Sequence, residues 1–362
     1  MQPRIVFLVM SAVSKPATVD QLARALAPHT VLVHHDFSQT PDFPLTASNI
    51  RFVPDPKRTG WAFFGFVDGI FHSLRHALAT LEFDYLQLLS PSCLPIKPIA
   101  GFETVASGAA QAHFDCIDLL ADADAFMSVG YRAFTPEDSL RHRLARRATN
   151  HYYGKSEGRR DEAGIWLRTH GGEGLLSRPA ALLIRALSDP RIGRHLFGDA
   201  FRPYYGTAWF GARRSIVEGM VEFFARPGVR PYFSRLRIAE EFLIPTMLMQ
   251  LVTAKGPMNH MIKTYNGARV GVFGMEDVES LRASTAFFAR KFPDDPAAPI
   301  RSVVLGEMAA APAVEESLRV VPLRPHAGVP GRLHPAMARQ GGLQVGEAPA
   351  FARANGSGQV LP

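Results

Sequence analysis

Two cysteines, Cys93 and Cys116, are all that this 362-residue chain holds. That excludes a disulfide framework and fits a reducing, cytoplasmic setting. No apolar run is long enough to span a bilayer. The N-terminal stretch from Ile5 to Val13 holds about nine residues where about twenty are needed. It also lacks a signal-peptide cleavage pattern and reads as a first strand. The chain has no G-x-G-x-x-G, no Walker A loop, no G-x-S-x-G and no paired C-x-x-C. The common signatures of dinucleotide binding, P-loop chemistry, α/β-hydrolase chemistry and zinc ribbons are therefore missing. Internal repeats are missing too.

Basic residues exceed acidic ones, 40 Lys and Arg against 33 Asp and Glu, for a net charge of +7. Such an excess suits polyanions, nucleotides or an anionic membrane face. It lacks the interleaved aromatic or helical motif of a nucleic-acid binder, so no nucleic-acid partner is expected. The densest run, Arg141, Arg143, Arg146 and Arg147, reads as a solvated helical face. Membrane contact, with no spanning segment, is expected to be peripheral.

The first hundred residues alternate in type. Residues 4–13 form a continuous apolar run, as a buried parallel strand does. Thr18 or Asp20 can cap a helix over Gln21–Leu26. Thr30–Val33 and Ile50–Val53 read as strands, Asp68–Leu81 as a helix and Tyr85–Leu89 as a fourth strand broken by Ser90-Pro91. This β-α-β order predicts an α/β fold with a mostly parallel sheet. Ligands in such sheets lie beyond the strands' carboxyl ends, where Asp36 and Ser90–Pro95 fall. Further helices are predicted over Pro179–Ser188, over 214–225, from Ala239 and over Val278–Phe288, with strands over Ile262–Phe273. The sequence divides into a folded domain over 1–295 and an Ala-, Pro- and Gly-rich tail over 296–362. The tail is too poor in aromatic residues to offset its ordering entropy, save for a short docked segment around Arg301–Met308.

Several residues could carry chemistry. Glu240 and Glu241 open a helix in which Pro245 is tolerated only near the start. The helix dipole there favours an ionised carboxylate. Such a group could take a proton from a sugar hydroxyl, or simply cap the helix. Asp36 could accept a base N–H or a ribose hydroxyl, or make an Asx turn. His34 and His35 are strand neighbours whose side chains diverge, so they make no convincing metal pair. Asp122-Ala123-Asp124 is formally a D-x-D, the pattern that holds a divalent metal against a diphosphate in many nucleotide-sugar transferases. Its Ala/Asp surroundings read as an exposed turn. Phe287-Phe288-Ala289-Arg290-Lys291-Phe292 sets two cations among aromatics. Locally this is either a helix end whose cations face water or a cation pair awaiting an anion.

These segments fall in the order of a known family. Val33-His34-His35-Asp36 resembles the I-H-x-D of the core-2/I-branching β-1,6-N-acetylglucosaminyltransferase family, which includes peptide xylosyltransferases. Gly60-Trp61 stands where that family has Trp-Gly. Tyr85–Lys97 is similar to its Y-x-x-L-L-S-G-x-D-x-P-L-K. Gly206-Thr207-Ala208-Trp209-Phe210 resembles G-S-x-W-F, and Ala239-Glu240-Glu241 with Thr246 resembles P-D-E-x-x-x-x-T. Arg269–Asp277 is similar to R-x-x-x-F-G-x-x-D, and Phe288–Phe292 to F-A-[RN]-K-F. The resemblance runs from about residue 4 to 295.

It implies a GT-A type nucleotide-sugar fold and an inverting reaction without a metal cofactor. By position, Glu241 matches the catalytic base. Arg269 and Lys291 match the cations that bind the nucleotide diphosphate, and Asp36 an acidic residue on the nucleotide side. Ser90, Trp209 and Glu240 fall at substrate-binding positions, while Arg290 is left as a structural or surface cation. Where the family has S-G-x-D, this chain has Ser90-Pro91-Ser92-Cys93; the Asp is replaced, as is the Pro of P-D-E by Ala239. The membrane anchor and disulfide cysteines of animal members are absent. The expected activity is transfer of a sugar, GlcNAc first, from a UDP donor to a glycan or lipid-linked oligosaccharide, in bacterial surface-polysaccharide assembly. Alternatives are a xylosyltransferase-like or Mn-dependent transferase of the same fold, or an inactive nucleotide- or glycan-binding protein.

Overall fold

The computed structural model describes residues 2–133, 139–156, 158–160, 165–172, 174–192, 202–263, 265–266, 269–310 and 320–323. Its centre is a parallel set of four strands: β1 (Ile5–Ser11), β2 (Thr30–His35), β3 (Ile50–Phe52) and β4 (Tyr85–Leu89). β1 lies between β2 and β4, and β3 pairs outside β2. Beyond β4 the sheet continues through the strands Gly211–Arg213, Ala112–His113, Ala254–Gly256 and Val321–Pro322. Gly211–Arg213 runs antiparallel to both its neighbours, so the eight-stranded sheet is mixed. The α/β class read from the sequence is the observed one.

The apolar run of β1 is needed because both faces of the sheet are covered. Val6, Leu8 and Met10 point into one core, against the helix Gly65–Thr80 and the helices beyond it. Ile5, Phe7 and Val9 point into the other, with the helix Pro16–Ala25, Phe102 and Phe288. Phe7 is fully buried and meets Phe102 and Phe288 at 5.8 Å. Burying such a ring stabilises by roughly 1.5–3 kcal/mol.

Several boundaries moved, each for a physical reason. The first helix begins at Pro16, a good first-turn residue, rather than after Asp20. Asp20 is instead buried and accepts hydrogen bonds from Thr46 N, Thr46 Oγ1 and Ala47 N at 2.7–3.1 Å. The next helix begins at Gly65, where a side chain would strike the Arg58 carbonyl. The predicted helix over Val278–Phe288 stops at Ala283. Phe288–Arg290 is a strand, the middle one of a separate three-stranded sheet between His260–Ile262 and Leu94–Pro95. Extended backbone at Ser284 ends the helix, and the Phe pair takes the pleated position that aromatic residues favour. The helix-end reading of Phe287–Phe292 is thereby corrected.

The chain stays packed past residue 295. Pro299–Val303 is helical, and Arg301 is fully buried. Its guanidinium donates to Gln21 Oε1 at 2.6 Å and to the Pro293 carbonyl at 3.1 Å. Burial lowers its pKa to about 10. Val304 and Met308 pack into the same core as Phe7. Residues 324–362 lie outside the described residues. Among the described residues no helix is long and apolar enough to cross a membrane.

Candidate active site

The register pairs Ser11 with His35 and Val9 with Leu89, so the residues after β1, β2 and β4 share one edge of the sheet. Asp36 follows β2 there. Its carboxylate accepts from Ser38 N and Ser38 Oγ on one oxygen, at 3.0 and 2.6 Å. The other oxygen accepts from Thr59 N, Gln39 Nε2 and Thr59 Oγ1, at 2.6, 2.8 and 3.1 Å. Burial opposes this charge, but the donors from Ser38, Gln39 and Thr59 outweigh it and hold the carboxyl well below the usual range. Asp36 thus ties the loop after β2 to the loop at Thr59. The two histidines before it diverge: His34 Nε2 accepts from Lys57 N at 2.9 Å, whereas His35 faces Ser11 and the Thr40 carbonyl.

The Thr59 loop leads on to the glutamates. Ala62 O accepts from Ile238 N at 3.2 Å, just before the helix Glu240–Leu251. Pro245 lies inside this helix. Having no N–H, it cannot donate to the carbonyl four residues back, that of Glu241. Gly206 N donates to that carbonyl instead, at 2.9 Å. Gly206 must be glycine, because a Cβ would collide with the Asp115 carbonyl. Asp115 Oδ1 in turn accepts from Thr207 N at 2.8 Å and Thr207 Oγ1 at 3.1 Å. Thr246 Oγ1 accepts from Tyr204 N at 2.9 Å and donates to Tyr204 O at 3.2 Å. Tyr204 and Gly206 are therefore pinned to the helix that carries Glu240 and Glu241, and Thr207, next in the chain, to Asp115.

The glutamates differ sharply. Glu241 is partly exposed, and its Oε2 accepts from Arg132 Nη1 at 2.8 Å. Arg132 is buried. Burial opposes its charge, but the Glu241 carboxylate and, after it, the Tyr131 and Tyr205 phenol groups more than offset this, so its pKa stands above the ordinary value. Glu241 Oε1 carries no hydrogen bond from the described residues. Glu240 Oε2 is buried without a hydrogen-bond partner among the described residues. Burial first, and the neighbouring Glu241 second, push its carboxyl up to about 7. The expectation that the helix start favours ionisation fails for Glu240. A first-turn dipole contributes about 0.3–1 kcal/mol, less than desolvation of a carboxylate.

A stability prediction follows from Glu240. Between pH 4.5 and about 7 its carboxyl is ionised in the unfolded chain and protonated in the folded one. Its contribution is fully present below pH 4.5 and is lost as pH rises to about 7, up to about 3 kcal/mol. Glu240→Gln should remove that loss. Urea unfolding at pH 5 and pH 8 should show the variant gaining on wild type at pH 8; equal pH responses would rule the carboxyl out as the cause.

The remaining groups close the site from the small sheet. Arg290 lies over the Trp209 ring, 4.2 Å from its centroid. Trp209 is buried and neighbours the His260 ring at 5.7 Å. His260 Nε2 is 3.7 Å from Cys93 Sγ, which contacts Ser90 N at 3.3 Å and Ser90 Oγ at 3.2 Å. Burial lowers the His260 pKa to about 3 and raises that of the Cys93 thiol. Lys291 is exposed, and no described residue pairs with its ammonium. Phe292 N donates to Ser92 O at 2.9 Å, which seats the Arg290–Lys291 pair beside the loop after β4.

No family model matches the chain, and no curated protein matches it. The site rests on its own geometry. Ser90, Trp209, Glu240, Glu241 and the Arg290–Lys291 pair belong to one connected set, and Asp36 joins it through the Thr59–Ala62 loop. Arg269 opens the strand Arg269–Val270, but its side chain lies outside the described residues. Asp122 Oδ1 caps the helix Ala123–Gly130 by accepting from Ala125 N at 2.9 Å. Asp124 Oδ1 accepts from Tyr152 OH at 3.0 Å and His170 N at 2.9 Å. Neither aspartate is the exposed turn residue that the sequence suggested. Sequence reasoning missed Arg132, Asp115 and His260. Arg132 stands 109 residues from its partner in a single short turn, with no local signal to mark it.

Proposed function

We propose that the protein is an inverting glycosyltransferase of GT-A type that moves a sugar, GlcNAc first, from a UDP donor to a glycan hydroxyl. The reading is carried by Glu241: a partly exposed carboxylate at a helix start, one oxygen held by Arg132 and the other without a donor among the described residues. The resemblance to the core-2/I-branching family supports it, because that family's motifs lie on elements that meet here. Glu241 Oε1 takes the proton of the acceptor hydroxyl as its oxygen attacks the anomeric carbon. The bond from that carbon to the diphosphate breaks, and UDP leaves with the electron pair. Inversion follows from attack opposite the leaving group.

The departing diphosphate needs positive charge, which fixed cations can supply in place of a metal. Lys291 is assigned to it, with Arg269 as the second cation by resemblance. Arg290 holds Trp209 in place at the sugar side. Asp36 shapes the nucleotide side through the loop it braces. The test is UDP release from a panel of UDP-sugars with oligosaccharide acceptors, in the presence and absence of EDTA. Turnover that survives chelation is expected; abolition by EDTA would exclude the fixed-cation scheme. Lys291→Ala should weaken UDP binding by roughly tenfold or more, as loss of a charged hydrogen bond does. An unchanged calorimetric Kd would remove Lys291 from the site.

A further inference from the structure

The helices Leu140–Tyr153 and Ser177–Ile192 pack on each other at one side of the fold. The first turns Ala145, Thr149, Tyr152 and Tyr153 inward. Its outer face carries Leu140, Leu144, Arg147 and His151, spaced so that they line one stripe, with Arg143 beside them. The second turns Ile184 inward and sets Pro179, Leu182, Leu183 and Ala186 outward. Leu182 and Leu183 are 69% and 60% exposed. In the turn before that helix, Leu175 is 98% exposed and Leu176 71%. Gly174 in that turn lies against the His151 ring, which seats the exposed leucines at the end of the first helix's stripe.

A surface helix ordinarily gives its outer face to polar residues. Here the outer faces of two packed helices expose Leu140, Leu144, Leu182 and Leu183 among arginines, and exposed apolar side chains gathered on one face mark interaction surfaces. The charged side chains described as exposed on them have one sign. Arg141, Arg143, Arg146, Arg147 and Arg178 are exposed; Leu140–Tyr153 holds no Asp or Glu, and Ser177–Ile192 holds one, Asp189, whose side chain lies outside the described residues. Exposed leucines among these exposed arginines, against a single aspartate in the two helices, complement an anionic bilayer surface: apolar chains enter the boundary of the acyl region while guanidinium groups meet phosphates.

We propose that this two-helix face docks the protein on anionic phospholipid. Nothing in it depends on the reaction proposed above, and the measurement uses neither donor nor acceptor. The full chain is sedimented with vesicles of phosphatidylcholine containing about one quarter phosphatidylglycerol, and with pure phosphatidylcholine. Binding to the former only, weakening as salt is raised from about 0.1 M to 0.5 M, is expected. Leu182→Ser with Leu183→Ser, and separately Arg143→Glu with Arg147→Glu, should each lower vesicle partitioning by roughly tenfold or more. These side chains are exposed, and circular dichroism confirms that each variant is folded. Absence of wild-type binding to the anionic vesicles overturns the proposal, as does undiminished binding by both folded variants. A concentration-dependent dimer that Leu182→Ser converts to monomer, without vesicle binding, would instead make this face a contact between copies.

Discussion

Glu241→Gln should bind UDP as wild type does and lose transfer by roughly 10²–10⁴-fold, the range for a positioned general base. Gln is close in shape and keeps an oxygen that can accept from Arg132 Nη1, now 2.8 Å from the carboxylate. The guanidinium stays hydrogen-bonded, so the loss reads on proton transfer rather than on folding. Glu240→Gln is the control. Burial holds Glu240 at a pKa of about 7, a value that suits a base at neutral pH. The structure therefore offers two candidates, and exposure separates them: Glu241 is partly exposed with an oxygen that takes no hydrogen bond from the described residues, whereas Glu240 Oε2 is buried. Transfer should fall in the Glu241 variant and largely survive in the Glu240 variant. The reverse pattern moves the base by one residue, and near-normal transfer in both removes the assignment.

How much of this was legible in the sequence depends on the range of the interaction. The apolar runs of β1 and β4 and the break at Ser90-Pro91 are local, and they appear where expected. Pro245 is local in sequence, but its consequence is not. By leaving the Glu241 carbonyl without a helical donor, it opens a place for Gly206 N, and no spacing rule connects residues 206 and 241. Arg290 and Lys291 are neighbours with the same charge, and only the resemblance to F-A-[RN]-K-F distinguishes Lys291 as the ligand. Arg290 is the last residue of the strand Phe288–Arg290, and Lys291 lies beyond it. Arg290 turns onto Trp209 and Lys291 is exposed. That difference depends on Trp209, a residue 81 positions away, and is not local to the segment. For Asp36 the sequence leaves a nucleotide ligand and an Asx turn both open; the Ser38 N bond is the Asx turn, and the Thr59 bonds, from 23 positions away, have no local signal.

Breaking the Arg132–Glu241 pair should destabilise the protein asymmetrically. Both groups leave water on folding, but unequally: the Arg132 side chain is 8% exposed and that of Glu241 23%. Glu241→Met strands a buried guanidinium and should cost about 3–5 kcal/mol, the usual range for removing one partner of a buried pair. Arg132→Met leaves a carboxylate that reaches water, so its cost should be smaller. The double variant should recover part of the Glu241→Met loss, because the stranded cation is gone. Urea unfolding of the four proteins measures the coupling. Additive single effects within about 0.5 kcal/mol would mean that the pair contributes no mutual stabilisation. Arg132 also acts on chemistry through Glu241, whose rotamer it fixes. Arg132→Met should therefore lower kcat while leaving the Kd for UDP unchanged. A purely structural role would instead lower the fraction of folded enzyme and leave kcat per folded molecule intact, so active-site titration separates the two.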